Sequence, residues 1–351
     1  MRASALVIRP MEPAEKGEVR GIMRRCFPLL MRPFFSLGGV VLVAQHREDL
    51  LGAVVMNTCL CAEGAMTGII SWIFTAPEAR GMGVGQALID RALDHLERQG
   101  CDEILAVIEG TNTASSGLFG SRGFSLLSFG QQILRYRWQL PRVWYAAFHV
   151  IDIGHFLWRR PASVADSSPA LQWLAGLLIN TAGVLLALRG GMQPMVLFAL
   201  ALLFGLREGA MRVIGGRFSL GLRHRMWETG LLLSVGIAFL FGGILPVPGS
   251  VYPADDRWRY RESLSTLGPV ALAGMVPALA LTLWAFYLGP GGAGSVGQYL
   301  LMLGRRLIIF DTLLPFFPFN GYNARRVYDW SPWTWLAAAL SAMTVLLLTA
   351  D

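Results

Sequence analysis

The chain has 351 residues, 54% of them hydrophobic, with 30 Lys and Arg against 23 Asp and Glu and a net charge of +7. A basic excess on so apolar a chain argues against a nucleic-acid surface; it fits positive loops on the inner side of a membrane and attraction to anionic lipid. Composition also changes along the chain, with 17 Lys and Arg against 15 Asp and Glu in residues 1–166 but 13 against 8 in residues 167–351.

Residues 6–8 form a short apolar run before Arg9 and Pro10, and residues 12–25 then set Val19, Ile22 and Met23 at helical spacing, so a strand precedes a helix. The β-branched runs 40–44 and 52–56, joined by the polar stretch 45–49, predict an antiparallel hairpin, and residues 69–74 predict a further strand. Leu88, Ile89, Ala92, Leu93 and Leu96 make an apolar stripe over residues 85–99 that stops at Gly100, an amphipathic helix with a glycine end. A strand over 104–108, a shorter helix over 112–121 and closing strands over 124–129 and 133–138 complete the unit. The expected fold of residues 1–138 is α+β with a mostly antiparallel mixed sheet.

Residues 142–158 are rich in Trp, Tyr and Phe, with His149, Asp152 and His155 three apart, which predicts an interfacial amphipathic helix within a 139–165 connecting segment. The stretches 167–188, 229–254, 263–304 and 330–350 carry no charge, and about 20 apolar residues cross a bilayer core. Residues 166–351 are therefore expected to form an all-α, multi-pass membrane domain of about five or six helices, near 170–188, 192–206, 229–245, 266–288, 299–317 and 332–350. The fifth of these carries Arg305, Arg306 and Asp311. Arg207, Arg212, Arg217, Arg223 and Arg225, against Glu208 and Glu228, predict a cytoplasmic loop. Arg2, Arg9 and Glu12, with no apolar segment between them, argue against a signal peptide. The expected location is the inner, cytoplasmic membrane with the first domain in the cytoplasm. Cys26, Cys59, Cys61 and Cys101 lack the spacing of a zinc ribbon or redox pair and read as buried free thiols.

The chemistry is concentrated at residues 69–86, where a strand runs through Ala76-Pro77 into Arg80, Gly81, Met82, Gly83, Val84 and Gly85 and directly into a helix. Glycines let a backbone approach phosphates closely, and the free N–H groups of a first helical turn attract an anion. A Rossmann turn would follow the first strand of a parallel unit, whereas this one lies deep in the domain after a hairpin.

Arg80-x-x-Gly83-x-Gly85, followed by Asn112-x-x-Ser115-x-x-x-Phe119-x-x-x-Gly123-Phe124, resembles the two cofactor motifs of the GNAT superfamily in order and spacing. Ile8-Arg9-Pro10 and Cys26-Phe27-Pro28 are similar to that family's first strand and helix end, so the likeness covers residues 4–138. It implies that the backbone at Ile73, Phe74 and Thr75 lines the pantetheine arm of acetyl-CoA or a longer acyl-CoA, that residues 80–85 wrap the pyrophosphate, and that Asn112 and Phe119 lie beside the cofactor. Phe119 stands where many members have a Tyr that protonates the departing thiolate. A thiol of pKa about 8.5 can leave without that acid. An attacking amine must still lose a proton, and Glu109 and Glu63 are the candidate bases, each also readable as a solvated surface carboxylate.

Arg207-Glu208-x-x-Met211 after an apolar helix, with Leu314-Pro315 and Asn320-Gly321 later, resembles the membrane core of site-2-type intramembrane metalloproteases. Carried over, both metal histidines are replaced, by Arg207 and Met211, and the ligand Asp by Asn320. This implies a degenerate scaffold with no metal expected. An alternative ligand set, His149, Asp152 and His155, reads more simply as a polar stripe.

Together these features predict a membrane-anchored N-acyltransferase that moves an acetyl or longer acyl group from acyl-CoA to an amine of a lipid or membrane protein, with no nucleic-acid partner. The alternative is an acyl-CoA-sensing regulatory protein whose protease-like membrane scaffold is catalytically dead.

Overall fold

The computed structural model describes residues 6–60, 65–149, 154–162, 168–189, 193–218, 221–254, 260–289, 291–292, 294–316 and 321–350. The first unit is built on a seven-stranded sheet. In chain order its elements are β1 (Val7–Pro10), α1 (Lys16–Cys26), β2 (Val40–His46), β3 (Asp49–Leu60), β4 (Met66–Thr75), α2 (Val84–Arg98), β5 (Cys101–Glu109), α3 (Thr113–Gly120), β6 (Ser125–Leu126), α4 (Phe129–Tyr136), α5 (Leu140–Ala146) and β7 (His155–Arg160). The strand order is β1-β2-β3-β4-β5-β7-β6, antiparallel throughout except between β4 and β5.

The apolar stripe on α2 does what its spacing requires. Val84, Leu88, Ile89, Ala92, Leu93 and Leu96 are all buried, in one cluster with Val19, Ile22 and Met23 of α1 and Ile104, Ala106 and Ile108 of β5. Leu105, pointing to the opposite side of the sheet, joins a second cluster with Tyr136, Leu140, Val143 and Trp144 of the α4–α5 pair. Each fully buried leucine contributes about 1.5–3 kcal/mol to this packing.

Two expectations for this region are corrected. Residues 129–136 form α4 rather than a closing strand, because Ser128 and Gln131 make a capping box that starts a helix there. Residues 142–158 do not form one interfacial helix: α5 ends at Ala146, and His155–Arg160 pairs with β5 from Ile104↔Arg160 to Glu109↔His155. The sheet therefore extends well past residue 138. His149 is buried after α5 while His155 lies on β7, and Asp152 falls outside the described residues, so the proposed histidine stripe shares no helix face.

The second unit contains α6 (Pro169–Leu188), α7 (Pro194–Gly215), β8 (Leu222–Arg225), α8 (Glu228–Phe241), β9 (Ser250–Pro253), α9 (Tyr260–Tyr287), α10 (Val296–Ile308), a π turn (Ile309–Leu313), α11 (Ala324–Trp330) and α12 (Pro332–Leu348). It is mostly helical, not all-α, since β8 and β9 pair antiparallel. Among the described residues three helices, α6, α7 and α9, are long and apolar enough to cross a membrane, fewer than the five or six expected. At 1.5 Å per residue the 14-residue α8 and 17-residue α12 fall short of a core about 30 Å thick. Within the 299–317 segment α10 ends at Ile308 and gives way to a π turn that buries Asp311. The expected arginine loop also differs, because Arg207 and Arg212 lie on α7, and Arg223 and Arg225 on β8. Small residues let α9 and α10 approach closely, since a Cβ on Gly304 would lie 2.2 Å from Thr282 Oγ1.

The units are joined by shared core and by buried polar contacts. Tyr252 packs edge-on against Phe156 of β7 at 5.2 Å, and Tyr252, Tyr260 and Leu267 belong to the first unit's main cluster. Gln132 Nε2 donates to Glu228 Oε1 at 2.8 Å, His149 Nε2 lies 3.3 Å from the same oxygen, and Trp144 Nε1 donates to Gln132 Oε1 at 2.8 Å.

Candidate functional site

β4 carries an extra residue at its middle. Val55 pairs with Trp72 and Met56 with Ile70, which leaves Ser71 as a bulge, and Asn57 Nδ2 reaches across to Ser71 Oγ at 2.9 Å. The parallel ladder to β5 ends at Ile70↔Ala106, just where the bulge bends β4. Beyond it Ile73, Phe74 and Thr75 pair only with β3, through Val54, Ala53 and Gly52. The two parallel strands thus part at their C-terminal ends, and Ile73–Thr75 line one side of the opening.

The chain then turns through Pro77–Ala79 into α2. Gly81 (φ 82°) and Gly83 (φ 78°) are left-handed, and Gly83 is the N-cap of α2 with no side-chain cap. Helix geometry leaves the first-turn N–H groups without intrahelical partners. A Cβ at Gly81 would meet nothing within 4 Å, and one at Gly83 only Gln86 Oε1 at 3.9 Å. The turn is therefore an open cradle of backbone donors, suited to a pyrophosphate. Arg80 and Met82 are exposed beside it, and Val84 anchors it in the core. A Cβ at Gly85 would stand 3.5 Å from Thr75 Oγ1 and 3.9 Å from Leu118, so β4, α2 and α3 converge at this residue.

Other predicted site residues are placed as follows. Asn112 caps α3, its Oδ1 accepting from Ser115 N–H at 3.0 Å. Phe119 is buried, edge-on to Phe124 at 5.1 Å. Glu109 ends β5, half-buried, and accepts from Thr111 Oγ1 at 2.6 Å. Glu63 lies outside the described residues.

Three neighbours were not found by sequence reasoning. Cys26 Sγ donates to the Thr75 carbonyl at 3.2 Å, at the mouth of the cradle. Burial raises its pKa against the opposing pull of Arg80, so it is a neutral thiol rather than a nucleophile. From the second unit, Arg261 N–H donates to Thr113 Oγ1 at 3.2 Å on α3. Burial works against the charge on Arg325, but its bond to Asp329 outweighs this, with Tyr260 and Glu109 contributing, and its pKa is raised. The bulge residue Ser71 was also missed, although it left a signal as the lone hydroxyl in the apolar run 69–74.

In the second unit Arg207, one of the positions singled out as degenerate ligands, lies in a closed polar core. Arg207 Nε and Nη2 donate to Asp311 at 3.1 and 2.9 Å, and Arg207 also donates to the Gly249 and Gly321 carbonyls. Asn323 donates to Asp311 through N–H and side chain. Glu208 is bound by Arg212 at 2.6 Å and by His224 Nδ1 at 2.5 Å. Asn320 lies outside the described residues. Among the described residues, no three His, Cys, Asp or Glu side chains are grouped so as to hold a metal.

Residues 20–124 match the Acetyltransferase (GNAT) family model. The first unit therefore contains a GNAT domain over that stretch. The chain is similar to a mycothiol acetyltransferase of Beutenbergia cavernae, 38% identical over 78 residues covering 22% of this chain and 26% of that protein. It is also similar to a mycothiol acetyltransferase of Thermobispora bispora, 34% identical over 96 residues covering 26% and 32%. The chain thus spans about a third or less of these relatives' length. A solved GCN5-related N-acetyltransferase from Kribbella flavida aligns at 23% identity with a TM-score of 0.32, over 45% of this chain and 98% of that one.

Proposed function

We propose that the protein is an acyl-CoA-dependent N-acyltransferase, using acetyl-CoA or a longer acyl-CoA, whose helical unit holds it at the inner face of a membrane. The observation that carries this is the open glycine cradle at residues 80–85 set beside the parting of β4 and β5. The cradle would hold the pyrophosphate, and the backbone of Ile73 to Thr75 the pantetheine arm. An amine would attack the thioester carbonyl, lose a proton to a base and expel the thiolate. Glu109, at the end of β5, is the base candidate within the described residues; Phe119 has no proton to give and, being buried, cannot act in this step. The acceptor we propose is an amine on a lipid or membrane protein, because anchoring confines the site to the membrane plane and raises the local acceptor concentration. The mycothiol acetyltransferase relatives support acetyl transfer, but they match too little of the chain to carry their acceptor across.

Purified full-length protein in lipid should release CoA from acetyl-CoA when membrane extracts supply the acceptor. No release with any acyl chain length, from protein that binds CoA, would favour the second reading, an acyl-CoA sensor, to which Phe119 lends weight. We further propose that the Arg207–Asp311 core is a protease-like scaffold without metal: Arg207 brings positive charge and Met211 a thioether where zinc needs nitrogen, oxygen or thiolate ligands. Elemental analysis finding one tightly held zinc per chain would overturn this.

A further inference from the structure

The α4–α5 pair is apolar on two sides, and only one of them is used by the fold. Its inner face, Tyr136, Leu140, Val143 and Trp144, packs on the sheet. Its outer face leaves Leu134 77%, Trp138 82% and Tyr145 80% exposed, with Ile133 and Phe148 partly so. Nothing in the packing of the domain requires these side chains to be large and apolar.

Charge on this surface has one sign. Arg137 and Arg142 are exposed, neither has an acidic partner among the described residues, and no Asp or Glu occurs from residue 110 to 151. Large aromatic and aliphatic residues interleaved with arginine suit the boundary between headgroups and acyl chains. An aqueous partner protein with an acidic face would satisfy the arginines but would leave the aliphatic side chains to find their own pockets.

The position of the surface also points to lipid. Gln132 of α4 and His149 after α5 both contact Glu228 in the first turn of α8, and Phe129 packs against the helical unit's core. The patch is thereby fixed at the end of α8, where exposed apolar residues begin with Leu232 and Leu233 and run on to Phe239, Leu240 and Phe241. Exposed apolar side chains thus lie on both elements joined at this junction, and a lipid layer that covers those of α8 would lie near those of α4–α5.

We propose that the outer face of α4–α5, through Leu134, Trp138 and Tyr145 with Arg137 and Arg142, is a second, monotopic membrane contact that seats the GNAT domain on anionic headgroups. It rests on the membrane-anchored reading of the helical unit. The contact would fix the orientation of the domain relative to the bilayer, so that the opening between β4 and β5 faces a constant plane.

The test uses full-length protein in vesicles of phosphatidylcholine, alone or mixed with phosphatidylglycerol, carrying a photoreactive benzoyl-phenylalanine at one position. Trp138→benzoyl-Phe should give lipid adducts well above those of Arg91→benzoyl-Phe on the exposed side of α2. In the mixed vesicles, Arg137→Gln with Arg142→Gln should lower the adduct yield about tenfold. Trp284→benzoyl-Phe on α9, 54% exposed, reports on the helical unit separately. Lipid adducts at 284 but none at 138 would overturn the proposal and leave the anchoring intact; adducts at neither would overturn both. Protein–protein adducts at 138 would assign the face to a second copy instead.

Discussion

Gly83 combines a left-handed φ of 78° with open space above it, and both properties matter to a bound pyrophosphate. Replacing it with Val fills that space and strains the turn. Calorimetry on folded Gly83→Val should therefore show CoA affinity reduced at least tenfold, or about 1.4 kcal/mol; unchanged affinity would remove the cradle from the site. Tyr136 gives a different kind of test. Its hydroxyl donates to Glu103 at 2.7 Å, and Arg135 and Arg159 also bind that carboxylate. Burial first, and then the Glu103 charge, raise the Tyr136 pKa. Above about pH 10 the unfolded phenol ionises while the folded one keeps its proton, so stability present below that pH is lost as pH rises. Thermal unfolding followed from pH 8 to 11 should show this decline, and Tyr136→Phe should flatten it.

At the scale of elements, the buried junction of Gln132, Trp144, His149 and Glu228 ties α4 and α5 to α8. Gln132→Leu would strip Trp144 of its acceptor and Glu228 of its amide donor, at a cost of about 1–3 kcal/mol. Chemical denaturation should register that loss; a neutral result would mean that water replaces the amide. None of these four residues looked paired in the sequence, because contacts 79 or 96 residues apart leave no periodic trace. What was legible was local. The α2 stripe, the β2–β3 hairpin and the glycine turn follow from spacing and backbone freedom within a few residues. The segment from 124 to 160 was misread because aromatic content suits an interfacial helix and a buried strand equally, and Phe156, Leu157 and Trp158 are all in the core.

At the scale of the whole molecule, three long apolar helices carry exposed side chains such as Leu178, Phe198, Leu206, Val276 and Trp284. Full-length protein should remain with membranes after alkaline carbonate washing, and recovery in the supernatant would defeat the anchoring. A fragment ending near residue 138 should fail to fold as a monomer, because it lacks β7 and leaves the Ile104–Glu109 edge of β5 unpaired. The position of Tyr252, Tyr260 and Leu267 in the core of the first unit bears on how the protein is made. The ribosome completes α6 and α7 before it reaches any of these three residues. The GNAT domain, although first out of the exit tunnel, therefore waits for its last core side chains until two long apolar helices have been made. Completion of the first unit is thereby tied in time to synthesis of these helices, and a chain that stalls between them leaves both units unfinished.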